Sequence, residues 1–187
     1  MEYLFETAHL KVRKFAPEDA PALYHNHLQM GVRKWFPNEC YADIEEAREA
    51  VSFYRECVDA GKLPYVLAVE LKETGEMIGD TGVNETDAVP DMFEIGYVIC
   101  EKYSGRGYAT ELVAAMTEYM RETFQLDALY GRVLRGNHAS ARVLEKNGYV
   151  FEGEEFGAED DPYGNGMLVY RSGNRELGCV EREENYE

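Results

Sequence analysis

Gly105 and Gly107 sit in the stretch Glu101–Glu111, EKYSGRGYATE, between an apolar strand-like run and an amphipathic helix-like run. Glycines there let the backbone approach a ligand closely, and the first turn of the following helix offers unpaired N–H groups with partial positive charge. The chemistry this implies is binding of an anion, a pyrophosphate above all. The dinucleotide fingerprint would need a third glycine at Thr110, and the nucleoside-triphosphatase loop would need a Gly-Lys-Ser/Thr ending. Neither is present. A Gly-x-Gly loop by itself is more often a plain turn than a phosphate cradle, so the segments around it matter.

The spacing of Lys102, Gly105 and Gly107 resembles the Gln/Arg-x-x-Gly-x-Gly/Ala motif of the GCN5-related N-acetyltransferase (GNAT) superfamily, with Lys102 departing from the usual Gln or Arg. In that superfamily the strand-loop-helix binds the pyrophosphate of acetyl-coenzyme A. Three further segments fall in family order over roughly residues 9 to 170. Asn137-His-Ala-Ser140-Ala-Arg142-Val-Leu-Glu-Lys146-Asn-Gly-Tyr149 is similar to a segment of the branch containing the ribosomal-protein alanine N-acetyltransferases. Leu10 to Asp19 resembles that branch's opening strand and first-helix start, and Glu94-Ile-Gly-Tyr97 its fourth strand. The resemblance implies an α/β fold: a central mixed, mostly antiparallel sheet of about seven strands with helices on both faces. It implies cofactor contacts from Lys102, Gly105, Arg106, Gly107, Tyr108, Ala109 and Thr110, from Asn137, and from the backbone N–H groups of Val98 and Ile99 where two strands splay apart.

Acetyl transfer to an amine needs a neutral amine at the thioester carbonyl, donors for the developing oxyanion, and a proton for the departing thiolate. Strand alternation puts Glu94, Gly96, Val98 and Cys100 on one side, so Glu94 lies near the expected thioester. The resemblance supports a carboxylate there that takes the amine proton through water; the rival reading is a Glu paired with Lys or Arg across the sheet. Many relatives outside this branch supply the thiolate proton from a tyrosine at the position held here by Leu144. Ser140 is the branch's substitute, with helix capping as its rival role. Asn137 offers donor and acceptor to the pantetheine amides or merely turns the chain. Arg142 and Lys146, four apart on one helix face, meet the adenosine phosphate or face solvent. Trp35, Phe36, Tyr65 and Tyr97 line an acceptor cleft or fill core. His9, His25, His27 and His138 form no triad-like pattern and receive no role.

With 187 residues, the chain fits one domain, a core over about 9–170 plus an acidic tail over 172–187, and buries roughly 70% of its unfolded surface. No run approaches the ~20 apolar residues of a membrane span, and the first fifteen residues lack a signal-like apolar core, so a cytoplasmic protein is expected. Cys40, Cys57, Cys100 and Cys179 are scattered with no histidine at ligand spacing, so no metal is expected and the thiols read as structural. The net charge of −17 argues against nucleic acid as a direct partner. From Glu101 to Lys146, seven basic side chains face six acidic ones, which spares the anion site the acidity of the rest. That remainder would draw a cationic amine, a small molecule or a protein N-terminus, or serve solubility alone. Oligomeric state, a homodimer among the options, is left open. The implied activity is direct acetyl transfer from acetyl-coenzyme A in a ternary complex. A non-catalytic acyl-coenzyme A-binding module and a different acyl donor are the alternatives.

The elements that must position these residues follow from periodicity and turn chemistry. Leu10, Val12 and Phe15 mark a first strand, and Pro17-Glu18-Asp19 opens a helix. Trp35 falls in a loop ahead of a helix with Ile44, Ala47, Val51, Tyr54 and Val58 on its inner face. Residues 64–69 and 76–83 make a hairpin over Glu73-Thr74-Gly75. After the strand 93–100 comes a helix whose inner face is Ala109, Leu112, Val113, Met116, Tyr119 and Met120. A strand over 129–134, a short helix over 140–146, and two strands joined at Gly164-Asn165-Gly166 complete the order.

Overall fold

The computed structural model describes residues 3–86, 92–157 and 166–173. Eight strands form one sheet: β1 (Tyr3–Glu6), β2 (Leu10–Arg13), β3 (Tyr65–Leu71), β4 (Met77–Glu85), β5 (Phe93–Ile99), β6 (Ala128–Leu134), β7 (Val150–Glu155) and β8 (Met167–Gly173). Their order is β1-β2-β3-β4-β5-β6-β8-β7, antiparallel except for the β5–β6 pair. The helices are α1 (Ala20–His27), α2 (Met30–Trp35), α3 (Ile44–Asp59), α4 (Tyr108–Phe124) and α5 (His138–Lys146). This is the expected mixed sheet, with one strand more than the expected seven. The addition, β1, precedes the expected core; four half-buried residues are too short to show a period of two. Trp35 ends α2 rather than lying in a loop, because a six-residue helix that contains Gly31 and is soon followed by Pro37 carries little periodic signal. Ser172 and Gly173 close β8, while Gly164, Asn165, Cys179 and the rest of the acidic tail lie outside the described residues.

Two cores grip the sheet. The register pairs Val66 with Gly82 and Gly82 with Gly96, and Ala68 with Asp80 and Asp80 with Val98, so these residues share a face. That face carries a cluster of Phe15, Ala20, Leu23, Val51 and Ala68, which seats α1 and α3. On the other face Leu67, Val69, Val83 and Ile95 meet Leu112, Val113, Met116 and Met120 of α4, the face its spacing predicted. Ala109 and Tyr119 are only partly buried, and Tyr108 and Thr117 join the buried set.

The start of α1 is fixed by a buried ion cluster: Arg13 donates to Asp19 at 2.6 Å and to Glu70 at 3.1 Å. Removing one partner of such a cluster strands a buried charge. Among the described residues no helix is long and apolar enough to cross a membrane.

Candidate active site

β5 and β6 run parallel but pair only at Glu94 and Tyr130. Beyond that bridge the strands diverge toward their C-terminal ends, where the glycine loop leads into α4. Gly107 is the N-cap of α4, at φ 88°, and supplies no side-chain cap. The first intrahelical bond runs from Glu111 N to Gly107 O at 3.0 Å, so the N–H groups from Gly107 to Thr110 have no partner within the helix. Gly105 also has positive φ, 75°, and a Cβ on either glycine would meet nothing within 4 Å. The loop is therefore an open cradle of donors, suited to a pyrophosphate.

Side chains frame this cradle. Lys102 reaches Glu76 at 3.2 Å and lies 4.8 Å from the Tyr103 ring centre, with Arg106 5.5 Å from the same ring. Tyr108 is buried beside the His9 ring, and Glu111 fastens His9 (2.8 Å) and Thr7 to the helix start. Arg142 and Lys146 are exposed on α5.

The two strand donors expected from neighbouring residues turn out to be spaced by two. Cys100 N donates to Ile78 O at 2.7 Å, and Asp80 stands opposite Val98. Successive N–H groups along a strand point to opposite sides, so Val98 faces the β4 ladder while Tyr97 and Ile99 direct theirs into the splay. Of the two expected donors, the Ile99 N–H is open to the splay together with that of Tyr97, whereas the Val98 N–H belongs to the β4 ladder.

A cavity of about 370 Å³ between β5, β6 and α5 brings Glu94, Asn137 and Ser140 together. Lys102 to Thr110 line neither this cavity nor the second one described below, so the open helix start and the cavities are separate places. Asn137 Oδ1 accepts from Ser140 N at 3.2 Å, which makes Asn137 the cap of α5 and frees the Ser140 hydroxyl from that duty. Ser140 Oγ lies 2.8 Å from the Tyr97 hydroxyl. Burial pushes the Tyr97 phenol up to about 12 against the pull of that hydrogen bond, so it stays a neutral donor. Leu144 presses on Gly131, where an added Cβ would meet its Cδ1 at 2.5 Å. A phenol therefore enters from β5 although none stands at Leu144. In the sequence Tyr97 is legible as an aromatic of the Glu-Ile-Gly-Tyr run and a cleft-lining candidate but not as a partner of Ser140, since that partner lies 43 positions away.

Glu94 accepts from Arg132 Nε at 2.8 Å, and the same guanidinium reaches Glu155 at 3.4 Å. Burial raises the Glu94 carboxyl despite Arg132, with the Glu155 charge adding to the rise. The cross-sheet ion pair and the place beside the reaction chamber coexist.

A second cavity of about 660 Å³ opens on the α1 and α3 face of the sheet. Asp80, Gly82 and Gly96 floor it, and Tyr41, Phe53 and Tyr54 wall it. Phe36, Glu39, Asn84, Gly96 and Tyr97 line both cavities, so the two meet at the bridge between β4 and β5. His27 sits in this wall, with Nδ1 2.9 Å from Glu39 O and Nε2 2.9 Å from Asp80 Oδ2. Both partner atoms can only accept, so both ring nitrogens carry hydrogen and the ring is an imidazolium. Burial opposes this charge, but Asp80 and the Glu39 carbonyl outweigh it and lift His27 to about 9. Glu39 and the His27–Asp80 pair escaped sequence reasoning, because no spacing rule links positions 27, 39 and 80. Among the described residues no cluster of His, Cys, Asp and Glu is arranged to hold a metal ion.

Residues 9–150 match the model of the acetyltransferase (GNAT) domain family. An uncharacterized N-acetyltransferase, p20, from Bacillus licheniformis is 28% identical over 153 residues, 82% of this chain and 85% of its own length. YdaF of Bacillus subtilis, named as a putative ribosomal N-acetyltransferase, is 29% identical over 88% of this chain and 90% of its own. The ribosomal-protein-S5-alanine acetyltransferase of Vibrio fischeri shares the fold, with a TM-score of 0.77 at 22% identity, covering 92% of this chain and 97% of that one.

Proposed function

This chain belongs to the GNAT acetyltransferase family and is an acyl-coenzyme A-dependent N-acetyltransferase, and on that premise we propose that it transfers acetyl from acetyl-coenzyme A to a primary amine by direct attack in a ternary complex. The observation that carries the reading is the splay of β5 from β6. It sets an uncapped helix start at one end and a chamber holding Glu94, Ser140 and Tyr97 at the other. Acetyl-coenzyme A supplies the activated thioester. The N–H groups of residues 107–110 receive its pyrophosphate, with Lys102 and Arg106 beside them, and Ile99 and Tyr97 offer backbone donors along the pantetheine arm.

Within the chamber, bond formation between the amine nitrogen and the acetyl carbon pushes charge onto the carbonyl oxygen and then onto sulfur. Ser140, its hydroxyl linked to the Tyr97 phenol at 2.8 Å, stabilises the departing thiolate. The negative charge of Glu94 and its neighbours favours a cationic acceptor drawn to the mouth. The similarity to YdaF, a putative ribosomal N-acetyltransferase, and the charge of −17 together favour the α-amine of a basic polypeptide. Basicity favours it too. An α-amine with a reference pKa near 7.8 is neutral in about one molecule in seven at pH 7, a lysine amine near 10.4 in about one in 2,500.

The test is a competition between a short basic peptide with a free N-terminus and its α-acetylated twin containing lysine, following free thiol and the site of labelling. Faster labelling of the free N-terminus is expected, and equal labelling of the two would refute the α-amine assignment.

A further inference from the structure

We propose that Glu39, in the segment between α2 and α3, is the carboxylate that takes the proton of the attacking amine. The inference rests on the acetyl-transfer reading above and goes beyond it in assigning the base.

Three carboxylates face the junction of the two cavities from different elements, and their partners separate them. Asp80 of β4 is bound to the His27 imidazolium at 2.9 Å. Glu94 of β5 is bound to Arg132 of β6 at 2.8 Å. Protonating either one would dissolve a hydrogen-bonded ion pair. Glu39 lines both cavities, and its carboxylate meets no hydrogen-bond or ion-pair partner among the described residues; its backbone is engaged, the carbonyl by His27 and the N–H by Phe36 O at 3.2 Å. Two further carboxylates line the second cavity alone. Glu46 of α3 accepts from Ala42 N, and Glu85 sits at the outer end of β4 opposite Phe93.

A general base must have free lone pairs and a proton affinity raised toward the working pH. Burial raises the Glu39 carboxyl, the Asp80 and Glu94 charges raise it further, and His27 and Arg132 pull less strongly the other way. Glu39 is exposed by its accessible surface, so water reaches its oxygens at the junction of the cavities, while the protein packed around that junction disfavours its charge. The proton ledger closes without a co-reactant. The amine's lone pair forms the N–C bond and its proton passes to a Glu39 oxygen. The C–S bond then breaks with its electron pair on sulfur, and solvent or the Ser140 hydroxyl, itself refilled from solvent, returns a proton there.

The discriminating experiment is kcat against pH for the wild type, Glu39→Gln and Glu94→Gln, with acetyl-coenzyme A and a short basic peptide bearing a free N-terminus, and with coenzyme A affinity measured by calorimetry. Glu39→Gln is expected to lower kcat by about 10²-fold, to remove the acidic limb, and to leave coenzyme A affinity unchanged. Glu94→Gln should keep that limb but move it to lower pH. Loss of one negative neighbour and release of Arg132 both ease the ionisation of Glu39. An acidic limb that survives in Glu39→Gln, or one that vanishes in Glu94→Gln, overturns the assignment while the acetyl-transfer reading stands. No thiol release by the wild type with the peptide or with small amines would overturn that reading and this inference together.

Discussion

Replacing His27 by Gln should abolish a pH dependence of stability that the wild type shows between about pH 6.5 and 9. The imidazolium is 4% exposed and held on both nitrogens, and its pKa rises from 6.5 to about 9 in the folded chain. Below pH 6.5 the ring is protonated in both folded and unfolded chains, so the stabilisation is fully present. Between pH 6.5 and 9 the folded chain keeps a proton that the unfolded chain releases, and stability falls as pH rises. Above pH 9 the contribution is gone. At about 1.4 kcal/mol per pH unit the whole effect is about 3 kcal/mol, a sizeable part of the ~5–15 kcal/mol that holds a domain folded. Urea unfolding between pH 6 and 9.5 reads it directly. With a slope of about 2 kcal/mol per molar, the wild-type midpoint should drop by about 1.5 M relative to the variant across that range. Taking the difference between the two proteins cancels the titration of every other group. Parallel midpoint curves would show that His27 is not held as an imidazolium.

Gly107→Val should lose coenzyme A affinity in calorimetry while remaining folded, at a cost of about 1–2 kcal/mol for a side chain in the left-handed region; wild-type affinity would place the pyrophosphate elsewhere. Ser140→Ala should lower kcat by about 10²-fold, and adding Tyr97→Phe should cost little more, since the two hydroxyls act as one chain. Fully additive losses in that cycle would show that they act separately. Glu39→Gln should raise the thermal midpoint at pH 7, because a carboxyl whose pKa is raised on folding destabilises the folded chain once pH passes its unfolded value; a lowered midpoint would mean that Glu39 has a stabilising partner.

Local physics made much of this protein legible in its sequence. Gly105 and Gly107 announce left-handed backbone ahead of a helix, since few other residues adopt positive φ cheaply, and both angles are indeed positive. The inner face of α4 follows from a 3.6-residue period, and the order of the central elements from periods and turns. Pairings between distant residues were not legible. One strand donor fell to Tyr97 rather than Val98 because successive N–H groups on a strand oppose each other, and only the register with β4 says which set is free. The capping of α5 by Asn137, the phenol reaching Ser140 from β5, and the cation bound to Glu94 are likewise tertiary facts. Glu39 is one acidic residue among 36 in the sequence. What sets it apart is that its neighbours at the cavity junction are already paired with cations brought from other elements, a condition of charge and distance that packing alone creates.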